Sequence, residues 1–193
     1  MPSSAGPTEK ALKETALAVF DMDGTLFELV VDWKALLNDL AMIAYEDRHV
    51  GPFKDLVEAY EWCRSRERAK ERMVLVQREY EGEHLKEARR VVPGTSAARW
   101  RLNRGKMCSI FSLNTADTVE GLISSWGFYP VVTVDRTDRV KPDPEGLFRA
   151  METRGVGPLS TVFVGNSPRD REAASRAGVS FIDVKDIREE WFA

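Results

Sequence analysis

Two carboxylates, Asp21 and Asp23, close a short apolar run, Leu17-Ala18-Val19-Phe20, in the segment Asp21-Met22-Asp23-Gly24-Thr25. Carboxylates at i and i+2 beyond a strand can both reach a phosphate and a cation. A tight turn at Gly24 leaves backbone N–H groups facing the crevice beyond the strand ends, where open parallel sheets bind ligands. The ordinary alternative is a strand followed by an Asp-Gly turn. Ser112 ends a second apolar run in Ile110-Phe111-Ser112-Leu113-Asn114. Its hydroxyl and the N–H of Leu113 could hold a phosphate oxygen, or the hydroxyl could cap the following helix. Lys141 stands in Lys141-Pro142-Asp143-Pro144, where a plain loop lysine is the simpler reading. Gly165-Asn166-Ser167-Pro168-Arg169-Asp170 follows a further apolar run, and Ser167 with Asp170 also fits a capping box.

The elements that would carry these residues alternate in type. Short apolar runs closed by turn residues read as buried parallel strands. They cover Leu17 to Asp21, Met107 to Leu113, Val131 to Val134, Thr161 to Gly165 and Ser180 to Val184. Val119, Leu122, Ile123 and Trp126 share one helix face between two of them. A further helix is expected from about Pro144 to Arg154, with Asp143 able to cap it, and another begins at Ser167-Pro168. This alternation predicts an α/β fold with right-handed crossovers. Residues 27–92 break the rhythm with two helical stripes: Trp33, Leu36, Leu37, Leu40 and Phe53, Leu56, Val57, Tyr60. A small helical insertion of two to four helices is expected there. The mixed charges from Glu61 to Arg90 are read as a solvated face, and residues 1–14 as a tail or a loose first helix.

Composition excludes several functions. The 193 residues suit one domain, or one domain carrying an insertion. A net charge of -3 argues against general nucleic-acid binding. No apolar run approaches the ~18–20 residues that a membrane span needs. The polar start lacks a signal-peptide core, so a cytoplasmic protein is expected. Cys63 and Cys108 stand apart, without the spacing of a zinc site or a disulfide framework.

Taken together, the order and spacing of DMDGTL, FSLN, VKPDPE and VGNSPRD resemble the haloacid dehalogenase superfamily. The likeness is to its phosphoglycolate-phosphatase-like branch, with a helical cap inserted after the first strand. It spans roughly residues 16–184, and includes Pro93-Gly94 and the stretch from Ala173 to Gly178. The resemblance implies a Rossmann-like parallel sheet of about five strands, with helices on both faces and a small α-helical cap. The expected division is a tail at 1–15, a core at 16–26 and 93–193, and a cap at 27–92.

It also implies roles. Asp21 would be the nucleophile, Asp23 the acid and base, and Lys141 the neutralising cation. Gly24, Thr25, Ser112, Leu113 and Lys141 would contact the substrate. Asp21, Asp23, Asn166 and Asp170 would hold Mg²⁺, or Mn²⁺, with Asp170 acting through a bound water. Asp23 sets the chain with phosphatases and phosphomutases of the superfamily, apart from its ATPases and dehalogenases. Asn166 departs from the pattern, because an acid usually stands there. The implied function is a Mg²⁺-dependent phosphatase acting through an aspartyl-phosphate on a small phosphorylated metabolite, such as phosphoglycolate or a sugar phosphate. The alternatives are a phosphomutase and a weakly active or non-catalytic protein of the same fold. The cap is expected to move about hinges near Phe27 and Pro93-Gly94, with residues 27–33 lining the leaving-group pocket. Arg64, Arg66, Arg68 and Arg72 are expected in solvent, and the oligomeric state is left open.

Overall fold

The computed structural model describes residues 6–192. Helix α1 (Pro7–Glu14) leads into strand β1 (Leu17–Phe20). Strand β2 (Phe27–Glu28) then opens the excursion, which continues through helices α2 (Trp33–Glu46), α3 (Leu56–Arg64) and α4 (Glu67–Glu83). Strand β3 (Arg89–Arg90) closes it, pairing antiparallel with β2. The chain goes on as α5 (Val92–Leu102), β4 (Met107–Phe111), α6 (Ala116–Ile123) and β5 (Val131–Val132). It ends with α7 (Glu145–Arg154), β6 (Thr161–Gly165), α8 (Pro168–Ala177) and β7 (Ser180–Asp183).

Five strands form one sheet in the order β5-β4-β1-β6-β7, parallel throughout. β1 is central because all four of its side chains are apolar and buried, which suits a strand covered on both faces. Leu12, Ala97, Ala98, Val119 and Ile123 cover one face, from α1, α5 and α6. Leu147, Ala150, Ala173 and Ala174 cover the other, from α7 and α8. The expected α/β architecture with helices on both faces is the one observed. No helix of the described residues is long and apolar enough to cross a membrane.

The three excursion helices bury their own apolar stripe, which includes Leu36, Leu40, Tyr60 and Met73. That cluster also takes in Val134 and Val140 from the loops at the end of the sheet, so the excursion packs directly on the core. Arg64 reinforces the contact by donating to the Val134 carbonyl and, at 3.1 Å, to Thr137 Oγ1.

Several local expectations change. Of the tail or loose first helix expected at the start, residues 7–14 take the helix: α1 buries Leu12 fully, and residues 1–5 of the expected tail lie outside the described residues. Arg101, also fully buried, explains why α1 is held. Its guanidinium donates to the carbonyls of Leu12 (2.5 Å), Thr15 (3.0 Å), Ala16 (3.1 Å) and Met107 (3.2 Å). Arg101→Met should fill the stem's space but leave these acceptors without their donor. The expected loss is roughly 2–4 kcal/mol of unfolding free energy in a urea titration. A loss below about 1 kcal/mol would show that the carbonyls do not depend on Arg101.

The strand expected through Leu113 stops at Phe111, and β5 stops at Val132. α6 ends at Ile123, so Trp126 lies beyond it. In the charged stretch, Arg66 and Arg68 are exposed as expected, yet Gln77 and Glu81 are buried.

Candidate active site

β1 and β6 place the two acidic segments side by side. Phe20 pairs with Val164, and the Asp21 N–H donates to the Val164 carbonyl at 2.9 Å. Asp21 and Asn166 therefore leave adjacent strand ends together. Gly24 makes this approach feasible. Its φ is +71°, and a Cβ there would fall 2.0 Å from Asn166 Nδ2. Gly165 leaves similar room for Asp170, whose Oδ2 would lie 2.7 Å from a Cβ at 165.

A cavity of about 310 Å³ opens at this edge. Asp21, Asp23, Ser112, Leu113, Lys141 and Asn166 line it from the core. Six of the sequence-derived positions thus converge, although they come from four separate segments. Trp33, Leu56 and Tyr60 line it from α2 and α3. Asn114, Ser167 and Arg169 complete the wall. The sequence reading places Trp33 at the end of the stretch 27–33 expected to line the leaving-group pocket, and misses the other five as site residues. Leu56 and Tyr60 have a signal only as an apolar stripe, while Asn114, Ser167 and Arg169 sit inside segments already singled out. None of Arg64, Arg66, Arg68 and Arg72 lines the cavity.

Three residues differ from their expected contacts. Thr25 is fully buried and does not line the cavity; its hydroxyl stands 3.4 Å from Asp21 Oδ2. Gly24 serves as the gap that admits Asn166 and likewise is not part of the wall. Asp170 is fully buried with both oxygens engaged. Oδ1 accepts from Lys141 Nζ at 2.7 Å, while Oδ2 accepts from the Ser167 N–H at 3.0 Å and Oγ at 2.6 Å. This is the capping box of α8 turned into a mount for Lys141. With both oxygens so occupied, Asp170 holds the lysine in place.

Lys141 Nζ also donates to Asp21 Oδ1 at 2.5 Å. Burial alone would favour the neutral amine, but Asp170 and Asp21 outweigh it and hold the ammonium above its ordinary value. Asp170 is depressed despite burial, because Lys141 and Ser167 stabilise its anion. Asp21 shares that one ammonium with a second carboxylate, and burial pushes it up to about 7. Asp23 is raised to about 6 by burial, which outweighs the N–H of Leu29 donating to Oδ1 at 2.8 Å. Three carboxylates around one ammonium leave a surplus of negative charge.

That surplus is the test of whether a divalent cation fits. Among the described residues no three His, Cys, Asp or Glu side chains converge as a metal cluster. Asp21, Asp23 and Asn166 line the cavity, and between them carry carboxylate, amide and backbone carbonyl oxygens. These are hard oxygens of the kind Mg²⁺ takes, next to uncompensated charge. The donors fit Mg²⁺, with one formal charge fewer than an acid at 166 would give.

The raised Asp23 carries a stability prediction. Its folded value of about 6 exceeds the ordinary 3.8, so its contribution is complete below pH 3.8 and is lost as pH rises through 6. Asp23→Asn keeps the acceptor for Leu29 and removes the charge. At pH 8 with a chelator it should gain on the order of 1–3 kcal/mol over the parent, and almost nothing at pH 4. An equal difference at both pH values would show that Asp23 ionises freely.

Comparisons with known proteins bear on the family and the fold. The family model described as haloacid dehalogenase-like hydrolase matches residues 18–184. Pyrophosphatase PpaX of Bacillus mycoides (strain KBAB4) is 29% identical over 175 residues, covering 86% of this chain and 81% of that protein. A haloacid dehalogenase-superfamily hydrolase of subfamily IA, variant 1, from Geobacter sulfurreducens superposes with a TM-score of 0.56 at 23% identity, covering 94% of this chain and 89% of its own. CbbY from Rhodobacter sphaeroides, solved with phosphate, superposes at 0.55 with 23% identity, covering 88% and 85%. At such identities the two structures speak to the fold. With the family model spanning residues 18–184, the chain belongs to the haloacid dehalogenase-like hydrolases, a family of enzymes.

Proposed function

We propose that this protein is a Mg²⁺-dependent phosphatase that hydrolyses a small phosphate monoester through a phosphorylated Asp21. The observation that carries the reading is the pair of unlike carboxylates on one cavity. Asp21 is held by Lys141 at 2.5 Å, and Asp23 is raised to about 6.

Each group then has a task. An oxygen of Asp21 attacks phosphorus, and the bond from phosphorus to the ester oxygen breaks. Protonated Asp23 gives its proton to the departing oxygen, which leaves as an alcohol. Asp23, now ionised, takes a proton from the water that attacks the phosphorylated Asp21. Phosphate departs and both carboxylates return to their starting forms. A value near 6 suits both duties, since each protonation state is well populated near neutral pH. Lys141 offsets charge on Asp21 and the phosphoryl oxygens, with Ser112 and the Leu113 N–H beside it. Asp21, the Asp23 carbonyl and Asn166 would hold Mg²⁺, which when bound supplies charge relief between anionic nucleophile and anionic ester.

The wall formed by Trp33, Leu56 and Tyr60 supports an organic leaving group. Among the described residues, Arg169 is the one cation on the wall besides Lys141, which two carboxylates already occupy. PpaX is called a pyrophosphatase; here a second phosphate would meet largely apolar side chains, which favours a monoester of the phosphoglycolate or sugar phosphate type. The buried free thiols of Cys63 and Cys108 suit the reducing cytoplasm.

Asn166 favours a second reading, a weakly active or non-catalytic protein of this fold. Hydrolysis of an aryl phosphate and of a metabolite panel, with Mg²⁺ and with a chelator, tests both. Mg²⁺-dependent release of phosphate supports the enzyme. Its absence from a folded protein supports the second reading.

A further inference from the structure

Glu81 is a carboxylate on α4, 1% exposed, with no cation within ion-pair distance among the described residues. Hydrogen bonds alone hold it. Oε2 accepts from the Thr115 N–H at 3.0 Å and from Thr115 Oγ1 at 2.6 Å. Oε1 accepts from Asn114 Nδ2 at 2.9 Å and from Gln77 Nε2 at 2.8 Å. Gln77 Nε2 also donates to the Leu113 carbonyl at 2.8 Å. One helix of the excursion therefore grips the whole loop from Leu113 to Thr115.

The grip passes on to the cavity. Both Glu81 oxygens accept in every one of these bonds, so the amide of Asn114 turns its NH₂ toward Glu81. Its Oδ1 is thereby turned to Ser112, whose Oγ donates to it at 2.7 Å. The Asn114 N–H returns a bond to Ser112 Oγ at 3.1 Å. Ser112 and Asn114 both line the cavity. A buried charge without a cation is a poor way to dock one helix on another, since an apolar side chain of that size would avoid the desolvation cost. What Glu81 adds is direction: it fixes which way Asn114 faces, and through it where Ser112 sits.

We propose that Glu81 is a positioning residue for the phosphate-holding loop, so that the seated excursion helices set Ser112 and Asn114 for the ester. This rests on the phosphatase reading and adds a residue of the excursion to it. Glu81→Gln keeps the shape but puts an NH₂ against donors, and Asn114 must turn over. The probe is inorganic phosphate with Mg²⁺, followed by calorimetry, alongside kcat and KM for an aryl phosphate. Glu81→Gln should weaken phosphate binding at least about fivefold and lower kcat/KM about 10- to 100-fold, the scale of a misplaced contact. Glu81→Gln with Asn114→Asp restores a donor facing an acceptor and leaves an oxygen for Ser112. It should recover most of both losses, which a merely structural role would not produce. Arg78→Gln, which breaks an exposed α4–α6 ion pair with Asp117 (2.8 Å), should stay within about twofold. If Glu81→Gln does not fold, Gln77→Leu, which frees the Leu113 carbonyl, should still weaken phosphate about threefold or more.

Folded Glu81→Gln with phosphate affinity and kcat/KM within twofold of the parent overturns the proposal. So does an equal loss in Arg78→Gln, which would mean helix docking and not loop placement. A parent that binds phosphate without hydrolysing any ester, with binding lost in Glu81→Gln, sustains the positioning role and removes the phosphatase reading. A parent that binds no phosphate overturns both.

Discussion

Asp21→Asn is expected to lose at least roughly 10³-fold in kcat while keeping its fold. Asparagine has nearly the same shape and still offers Oδ1 to Lys141, but its amide cannot form the phosphorylated carboxylate. Lys141 keeps Asp170 as its anion at 2.7 Å, so no buried charge is stranded. Since burial already pushes Asp21 to about 7, a neutral side chain there should leave the melting temperature unchanged or raised near pH 8. The check is steady-state hydrolysis of an aryl phosphate beside a thermal melt. Residual turnover within about tenfold of the parent, or a phosphorylated residue trapped elsewhere, would remove Asp21 from its role.

Asn166→Asp should tighten Mg²⁺. The side chain stands beside Asp21 on the adjacent strand end and supplies an oxygen without charge. A unit charge pair about 4 Å apart at an effective dielectric near 20 is worth ~4 kcal/mol, part of which desolvation removes. Mg²⁺ affinity should therefore rise about 10- to 1000-fold, at 1.4 kcal/mol per decade. Without metal the added carboxylate crowds Asp21 and Asp170, so the variant should melt below the parent in chelator and above it in Mg²⁺. Asn166→Ala should shift both measurements the other way. Equal Mg²⁺ half-saturation in the parent and Asn166→Asp, by melting and by activity, would show that position 166 does not touch the cation.

Much of this site is legible in the chain because its parts are local to strand ends. Asp21 and Asp23 follow four apolar residues that can only be a buried strand, and Asn166 follows another. Hydrophobic runs, the turn glycine and the capping pattern at Ser167 are short-range signals, each acting at its own strand end. Asp143 is expected from sequence to cap the next helix; its carboxylate accepts from the Glu145 N–H at 3.0 Å, but the helix starts at Glu145 with Pro144 at its N-cap and no capping side chain.

What only the tertiary structure decided is which polar groups meet. Lys141 reaches Asp21 across 120 residues and Asp170 across 29, and that choice turns Asp170 from a presumed metal partner into the lysine's mount. Glu81 looks like one more charge on a solvated helix until α4 lies over Thr115, 34 residues away. Leu56 and Tyr60 belong to an apolar stripe, and a stripe records that a face is buried without recording against what. Leu12 packs into the core on one face of the sheet, and Arg101, 89 residues on, binds its carbonyl. Periodicity and turn chemistry act over a few residues, whereas partner choice follows from how strands and helices stack, and no local pattern carries that information.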